Sequence, residues 1–262
     1  VLWLSFFSVV IYALWLKTRN FVEKTMNILI VGATSGIGKA LLEKYVEVGN
    51  FVVAIGRRQQ LLDELYKKYN GKVLGEMADV TDVEAIGMVM ENIQKRLGVI
   101  DLAIVCAGTG ELNPSLDNEL ENPSIQTNVV GWTFVVDALF HLFEQQGKGH
   151  LVAITSVGGL RGEPMAPAYS ATKAYQINYM EALRKKAYKE GKMITVTDIR
   201  PGLVDTAMAK GEGLFWVMPV DKVASQIIAA IRKKKSVKYV TKRWHVLAFL
   251  NKHMPWLLYK RI

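Results

Sequence analysis

Short aliphatic runs alternate along the chain with stretches in which apolar residues return every three to four positions. The runs are Ile28–Val31, Phe51–Ile55, a segment near Lys72–Ala78, Asp101–Val105, His150–Thr155 and Met193–Ile199. Short runs that are apolar on consecutive positions predict strands buried on both faces. Between them fall helical patterns at Lys39–Val48, at Gln59–Tyr69 and at Val83–Leu97 with Asp82 as N-cap. A further helix carries Gln126, Thr127 and Asn128 on to about Gln145, and a long one bears Tyr169 and Lys173 and ends near Gly191. Gly49 stops the first helix, and Gly147 and Gly149 stop the one before the fifth strand. The segment Asp205–Pro219 reads as irregular and apolar, and a helix Val220–Ile231 and a short strand Val237–Thr241 close the series. Strict alternation of strand and helix predicts an α/β fold, a doubly wound parallel sheet with helices on both faces. A chain of 262 residues, half of them hydrophobic, suits one such domain and leaves little room for a second.

The turn after the first strand carries the first chemistry. It reads Gly32-Ala33-Thr34-Ser35-Gly36-Ile37-Gly38, between a buried strand and a helix. That arrangement holds a dinucleotide pyrophosphate: Gly32 for the sharp turn, Gly36 for close approach of phosphate, Gly38 for close packing of helix on strand. The helix N-terminus offers free N–H groups to the anion. The second strand ends Gly56-Arg57-Arg58, with no acid between Asn50 and Gln60. An acid at this point takes the ribose hydroxyls of NAD, whereas an arginine accommodates the 2′-phosphate of NADP. Asp79 lies at the end of the third strand, where open α/β sheets bind ligands; a capping role there is the simpler alternative.

Tyr169 and Lys173 are four apart and share a helix face. A phenol of ordinary pKa, near 10, is a poor acid–base group at neutral pH, and a neighbouring ammonium lowers that value. Ser156, at the end of the fifth strand, is placed to hold a substrate oxygen against the phenol, so that Tyr169 gives or takes a proton while hydride moves.

The glycine turn, Ser156, and Tyr169 with Lys173 together resemble the short-chain dehydrogenase/reductase family over about Met26 to Thr241, as a Rossmann-like sheet. The resemblance implies that Gly32, Ser35, Gly36, Ile37 and Gly38 hold the pyrophosphate and its ribose. Arg57, with Arg58 beside it, takes the 2′-phosphate of NADP(H), and Asp79 and Val80 contact the adenine. Ser156, Tyr169 and Lys173 are catalytic, with Asn128 completing a tetrad through a water that relays protons to the lysine. Lys173 also binds the nicotinamide ribose, and Pro201, Gly202 and Thr206 frame the nicotinamide. Family members form dimers or tetramers through the helices that contain Asn128 and Tyr169. One departure is visible: the family's Asn-Asn-Ala-Gly reads Val105-Cys106-Ala107-Gly108, which retains Ala107 and Gly108 but lacks the asparagines that tie the sheet together. A silent NADP-binding sensor or scaffold is the alternative, and both Tyr169 and Lys173 argue against it. Nucleotide-sugar epimerases and dehydratases carry a larger C-terminal domain than the roughly sixty residues that follow Pro201.

The apolar residues after Ser156 (Val157, Leu160 and Met165) and those of the irregular segment (Met208, Leu214, Phe215, Trp216 and Met218) suggest a lid. They favour a bulky apolar ketone or alcohol, such as an acyl, steroid-like or aromatic compound, over a sugar. The single cysteine, Cys106, excludes a disulfide framework and reads as a small buried residue. His141, His150, His245 and His253 show no metal-ligand spacing, so no metal is expected.

Charge divides the chain into three parts: residues 1–25, the domain 26–241, and a tail 242–262. Of the net charge of +9, ten basic residues and no acidic ones fall between Arg232 and Ile262, which leaves the remainder nearly neutral. Five of these ten, Lys242, Arg243, Lys252, Lys260 and Arg261, fall in the tail, interleaved with Trp244, Phe249, Trp256 and Tyr259. Packing on the body or across an oligomer interface and peripheral contact with an anionic membrane both account for that pattern. Nucleic-acid binding does not, because the body offers no second basic stripe. The first sixteen residues carry no charge, and as a helix they would reach about 24 Å, short of the roughly 30 Å hydrocarbon core. They read either as an anchor that holds the body on the cytoplasmic face or as sequence upstream of a domain starting at Met26. A cytoplasmic, reducing setting follows in both cases.

Overall fold

The computed structural model describes residues 25–209 and 215–261. Segment 1–24 and Leu214, to which the anchor and part of the lid were assigned, lie outside the described residues. Seven strands form one parallel sheet: β1 (Asn27–Val31), β2 (Phe51–Gly56), β3 (Val73–Met77), β4 (Leu102–Val105), β5 (Lys148–Ile154), β6 (Met193–Pro201) and β7 (Val237–Val240). Their order is β3-β2-β1-β4-β5-β6-β7. The chain therefore winds outward from β1, then returns to place β4 on its other side. Loops leaving β1 and β4 diverge at that switch point and open a crevice at the carboxyl ends of the strands.

Strand periodicity divides the core into two layers. Ile28 and Ile30 of β1 face one side, against Leu41 and Leu42 of α1 (Gly36–Glu47), Leu62 of α2 (Gln59–Lys68) and Ile227 of α7 (Val220–Arg232). Leu29 and Val31 face the other side, shared with Ile86 of α3 (Val83–Leu97), Phe140 and Phe143 of α5 (Trp132–Gln146) and Met180 of α6 (Pro167–Lys189). These residues are almost completely buried, and truncating such aromatic side chains to alanine costs about 3–5 kcal/mol.

The structure departs from the periodicity at three places. Helix α1 begins at Gly36, not Lys39, so Gly36, Ile37 and Gly38 form its first turn. The glycines hid that turn, because glycine is a poor helix former wherever local propensity decides. The helix expected to carry Asn128 begins as α4 (Asn118–Ile125), passes through a π-helical stretch, Gln126–Gly131, and continues as α5. Gly131 serves close approach there, since a Cβ on it would lie 2.3 Å from the Val80 carbonyl oxygen. The basic tail is helical, as α8 (Lys242–His253) and α9 (Trp256–Tyr259). The Asp82 cap of α3 is formed as expected, its carboxylate accepting the Ala85 N–H at 2.9 Å.

Candidate active site

A single cleft of about 2200 Å³ runs along the carboxyl ends of the central strands. Its first end is the glycine turn. Gly32 has φ +84°, and its N–H donates to the Ile55 carbonyl at 2.9 Å, which joins the turn to β2. A Cβ on Gly38 would lie 2.1 Å from the Gly32 carbonyl oxygen, so the start of α1 rests on the turn itself. Ser35 occupies the N-cap position without a side-chain cap, so its hydroxyl leaves the first turn of α1 to a ligand. Thr206 closes this end, its methyl 3.3 Å from where a Gly36 Cβ would stand.

Both arginines are held by neighbours. Arg57 reaches the Asp79 carboxylate at 3.3 Å, and Arg58 donates to the Thr34 hydroxyl at 2.9 Å. Partial burial works against ionisation of Asp79. Hydrogen bonds from the Thr81 N–H and hydroxyl and from Arg57 outweigh it and hold the carboxyl below its ordinary value. Asp79 thus caps the turn after β3 and orients Arg57 at the same time.

The middle of the cleft holds the reactive groups. Ser156 leaves β5 and caps the short turn Val157–Gly159, accepting the Gly158 N–H at 3.0 Å. Tyr169 lies in the first turn of α6, which opens on Pro167. Its ring packs against Gly110, where a Cβ would come within 2.3 Å of the ring edge. Burial pushes the phenol above its ordinary pKa, and the neighbouring Ser156 hydroxyl works against that rise.

Lys173 is nearly buried one turn further on. Its ammonium donates to the Ile154 carbonyl at 3.2 Å and to Gln176 Oε1 at 2.9 Å, and lies 5.9 Å from the centre of the Tyr169 ring. Burial brings Lys173 down to about 8, against the opposing charge of Asp198. Burial also pushes the Cys106 thiol up to about 12, which leaves it inert as a nucleophile.

Asn128 stands behind the cleft, fully buried in the π-helical stretch. Its Oδ1 accepts the Thr109 N–H at 2.9 Å, and its Nδ2 donates to the Thr109 carbonyl at 2.7 Å and to the Thr172 hydroxyl at 3.0 Å. One side chain thereby ties the loop after β4 to α6.

The far end of the cleft is apolar, and the tail builds much of it. Trp244 of α8 packs on Gly202, where a Cβ would lie 2.1 Å from the indole. Phe215 stacks on the same indole at 5.5 Å, and Trp216 meets it edge-on at 6.4 Å. Leu247, Leu250, Met254 and Trp256 continue the wall. The Tyr259 hydroxyl donates to the Gly162 carbonyl, and Arg161 lies over the Tyr259 ring at 4.3 Å, so the end of the tail is fastened to the loop after Ser156.

Comparison with known sequences decides the family. The short chain dehydrogenase model matches residues 26–214. The chain belongs to the short-chain dehydrogenase family. As a member it is an oxidoreductase of the CH–OH/C=O couple. An uncharacterized oxidoreductase of Staphylococcus epidermidis is 31% identical over 185 residues, 70% of this chain and 80% of the relative. One of Mycobacterium tuberculosis is 31% identical over 216 residues, 79% and 85% of the two chains. A short-chain dehydrogenase from Burkholderia cenocepacia, solved in complex with NADP, shares the fold with a TM-score of 0.79 at 22% identity, over 90% of this chain and 97% of its own. One from Sphingobium yanoikuyae, in complex with NADPH, gives 0.74 at 26% identity over 85% and 92%.

In this dehydrogenase the cleft gathers Gly32, Ser35, Gly36, Ile37, Arg57, Arg58, Asp79 and Val80 with Ala107, Gly108, Ser156, Tyr169, Lys173, Pro201, Gly202 and Thr206. Gly38 and Asn128 support it from behind. The expected lid is only partly one. Met208, Phe215, Val157 and Leu160 line the cleft. Met218 instead bridges to Val204 and packs on the core, and Met165 is exposed away from the lining. Sequence reading missed Gln176, whose polarity carries no motif. It also missed the tail as a wall, although Trp244, Leu247, Ala248 and Asn251 recur at helical spacing.

Proposed function

We propose that the chain is an NADP(H)-dependent dehydrogenase or reductase acting on a bulky apolar ketone or alcohol. The observation that carries this reading is Ser156 beside Tyr169 on the floor of one cleft, between a glycine turn flanked by arginines and a wall of aromatic and aliphatic side chains. The cofactor fits the first end. A Cβ at Gly32 or Gly38 would collide with backbone, α1 offers its N-terminus, and Arg57 and Arg58 stand at the rim. Bound there, the nicotinamide supplies or accepts the hydride. Ser156 would hold the substrate oxygen by a hydrogen bond, and Tyr169 would donate its proton to that oxygen in reduction or accept it in oxidation. Lys173 would hold the ribose and return a proton to Tyr169. The apolar wall excludes water from the reacting carbon and selects for greasy substrates.

The test is a panel of apolar and polar carbonyl compounds assayed with NADPH and with NADH. Turnover of bulky apolar carbonyls above sugars is the expected result, and turnover confined to sugars would overturn it. NADPH should bind at least about tenfold more tightly than NADH, a difference of about 1.4 kcal/mol. Arg57→Ala should lose most of that preference and also release Asp79. Equal affinity of the unaltered protein for both cofactors, measured by titration calorimetry, would remove the arginine assignment.

No helix among the described residues is long and apolar enough to cross a membrane. The face of the tail that does not line the cleft is nevertheless apolar and basic, with Phe249, Leu257 and Leu258 exposed beside Lys252 and Arg261. That combination suits an anionic lipid surface, with the apolar side chains at headgroup depth and the cations on lipid phosphate. A protein beginning at Met26 should sediment with anionic liposomes at low salt and be released at high salt. Full recovery in the supernatant at low salt would show that the tail serves only as a pocket wall.

A further inference from the structure

The amide of Gln176 is fully buried one turn beyond Lys173 on α6, with no access to substrate. Its Nε2 donates to the main-chain carbonyl of Asn128 at 2.8 Å, and its Oε1 accepts from Lys173 Nζ at 2.9 Å. The orientation of the amide follows from chemistry. The Asn128 carbonyl can only accept and the Lys173 ammonium can only donate, so a flipped amide would face each neighbour with the wrong atom. We infer that Gln176 is a positioning residue that joins Lys173 to the Asn128 backbone directly, fixing the lysine in place and favouring its charged form. The inference rests on the acid–base reading of Tyr169 and Lys173 only for its consequence in catalysis.

Lys173 has three donors. One goes to Ile154 and one to Gln176, and the third is left for the cleft that Lys173 lines. Other charged or titratable groups act on it without a hydrogen bond. Asp198 lies on β6, with its carboxylate taken by Thr155 at 2.6 Å and Arg200 at 2.7 Å; Cys106 follows β4; and Tyr169 sits on the same helix. A neutral carbonyl oxygen accepts more strongly from an ammonium than from an amine. Gln176 thus opposes the burial that pulls the Lys173 pKa down.

The test is a titration of Lys173 in the full chain labelled with ¹³C at lysine Cε, followed by NMR, with the resonance assigned through Lys173→Arg. Gln176→Leu keeps the volume and removes the acceptor, so its midpoint should fall by about one unit. Gln176→Glu keeps an acceptor and adds charge, so its midpoint should rise. Opposite shifts are not the signature of a merely structural role. The same midpoint in both variants as in the unaltered protein would overturn the inference. Should Gln176→Leu fail to fold, the nearly isosteric Gln176→Glu decides alone: a raised midpoint supports the link and an unchanged one removes it. In carbonyl reduction the alkaline fall in kcat should move with the midpoint, to lower pH in Gln176→Leu, with NADPH affinity changed less than twofold. The midpoint is blind to whether Tyr169 is the acid. Moved midpoints together with full turnover in Tyr169→Phe would therefore refute the catalytic reading and leave the Gln176 link standing.

Discussion

Tyr169→Phe should lower kcat for carbonyl reduction by roughly two to four orders of magnitude, the usual contribution of a positioned proton donor. The change removes one oxygen and nothing else that the fold uses. The ring keeps its seat on Gly110, and the main-chain carbonyl of residue 169 still accepts the Thr172 hydroxyl at 2.8 Å. Stability and NADPH affinity should therefore stay close to those of the unaltered protein, and the loss should fall on kcat and kcat/KM alike, as expected of an interaction made in the transition state. Near-normal turnover in a steady-state assay would rule out Tyr169 as the acid–base group. A fall in kcat accompanied by loss of NADPH binding would point to a packing defect instead.

Gly38→Val should have the second largest effect, and on a different property. The added Cβ would stand 2.1 Å from the Gly32 carbonyl oxygen, 2.9 Å from its carbon and 3.3 Å from the Ala33 Cα. All three are main-chain atoms, so no rotamer change relieves the contact. Either α1 lifts from the turn, pulling Leu41, Leu42, Tyr45 and Val46 out of the core, or the turn opens. Overpacking of this kind costs about 3 kcal/mol or more. In a domain of this size that is a fall of roughly 6–12 °C in Tm. NADPH affinity should drop at least tenfold, since the displaced turn is the one proposed to cradle its phosphates. Gly38→Ala should fall between the two. A thermal melt and an NADPH titration that both matched the unaltered protein would remove the packing role assigned to Gly38.

The two substitutions probe features of unequal visibility in the chain. Gly38 was legible because strand, glycine turn and helix are consecutive, and each is written in local residues: Ile28–Val31, then Gly32–Gly38, then the periodic face of Leu41, Leu42 and Tyr45. The pairing of Tyr169 with Lys173 was legible for the same reason, since helical spacing alone puts them on one face. The ring's seat on Gly110 was not, because the two are separated by fifty-nine positions and meet only when the loop after β4 returns to α6.

Hydrogen-bond partners of buried polar groups were the least visible. Asn128 was singled out through the resemblance, but its ties to Thr109 and Thr172 and its place in a π-helical stretch depend on how α4, α5 and α6 pack. Gln176 drew no notice, because a glutamine on a helix has no pattern that separates a solvated side chain from a buried bridge. The lid illustrates the converse. Met218 and Met208 look alike in sequence, yet one packs on the core and the other faces the cleft. Hydrophobicity marks a residue for burial without saying against what.

By itself the sequence determined the alternation of strand and helix, the glycine turn, the arginines in place of an acid, and the spacing of Tyr169 and Lys173. Each of these is a matter of neighbours within a few positions, where chain geometry translates order directly into contact. Only the tertiary structure decided that the tail walls the apolar end of the cleft, that Lys173 donates to Gln176, and that Arg57 is held by Asp79. These rest on contacts between segments far apart in the chain, favoured because an unpaired buried donor and an uncovered apolar face both cost free energy.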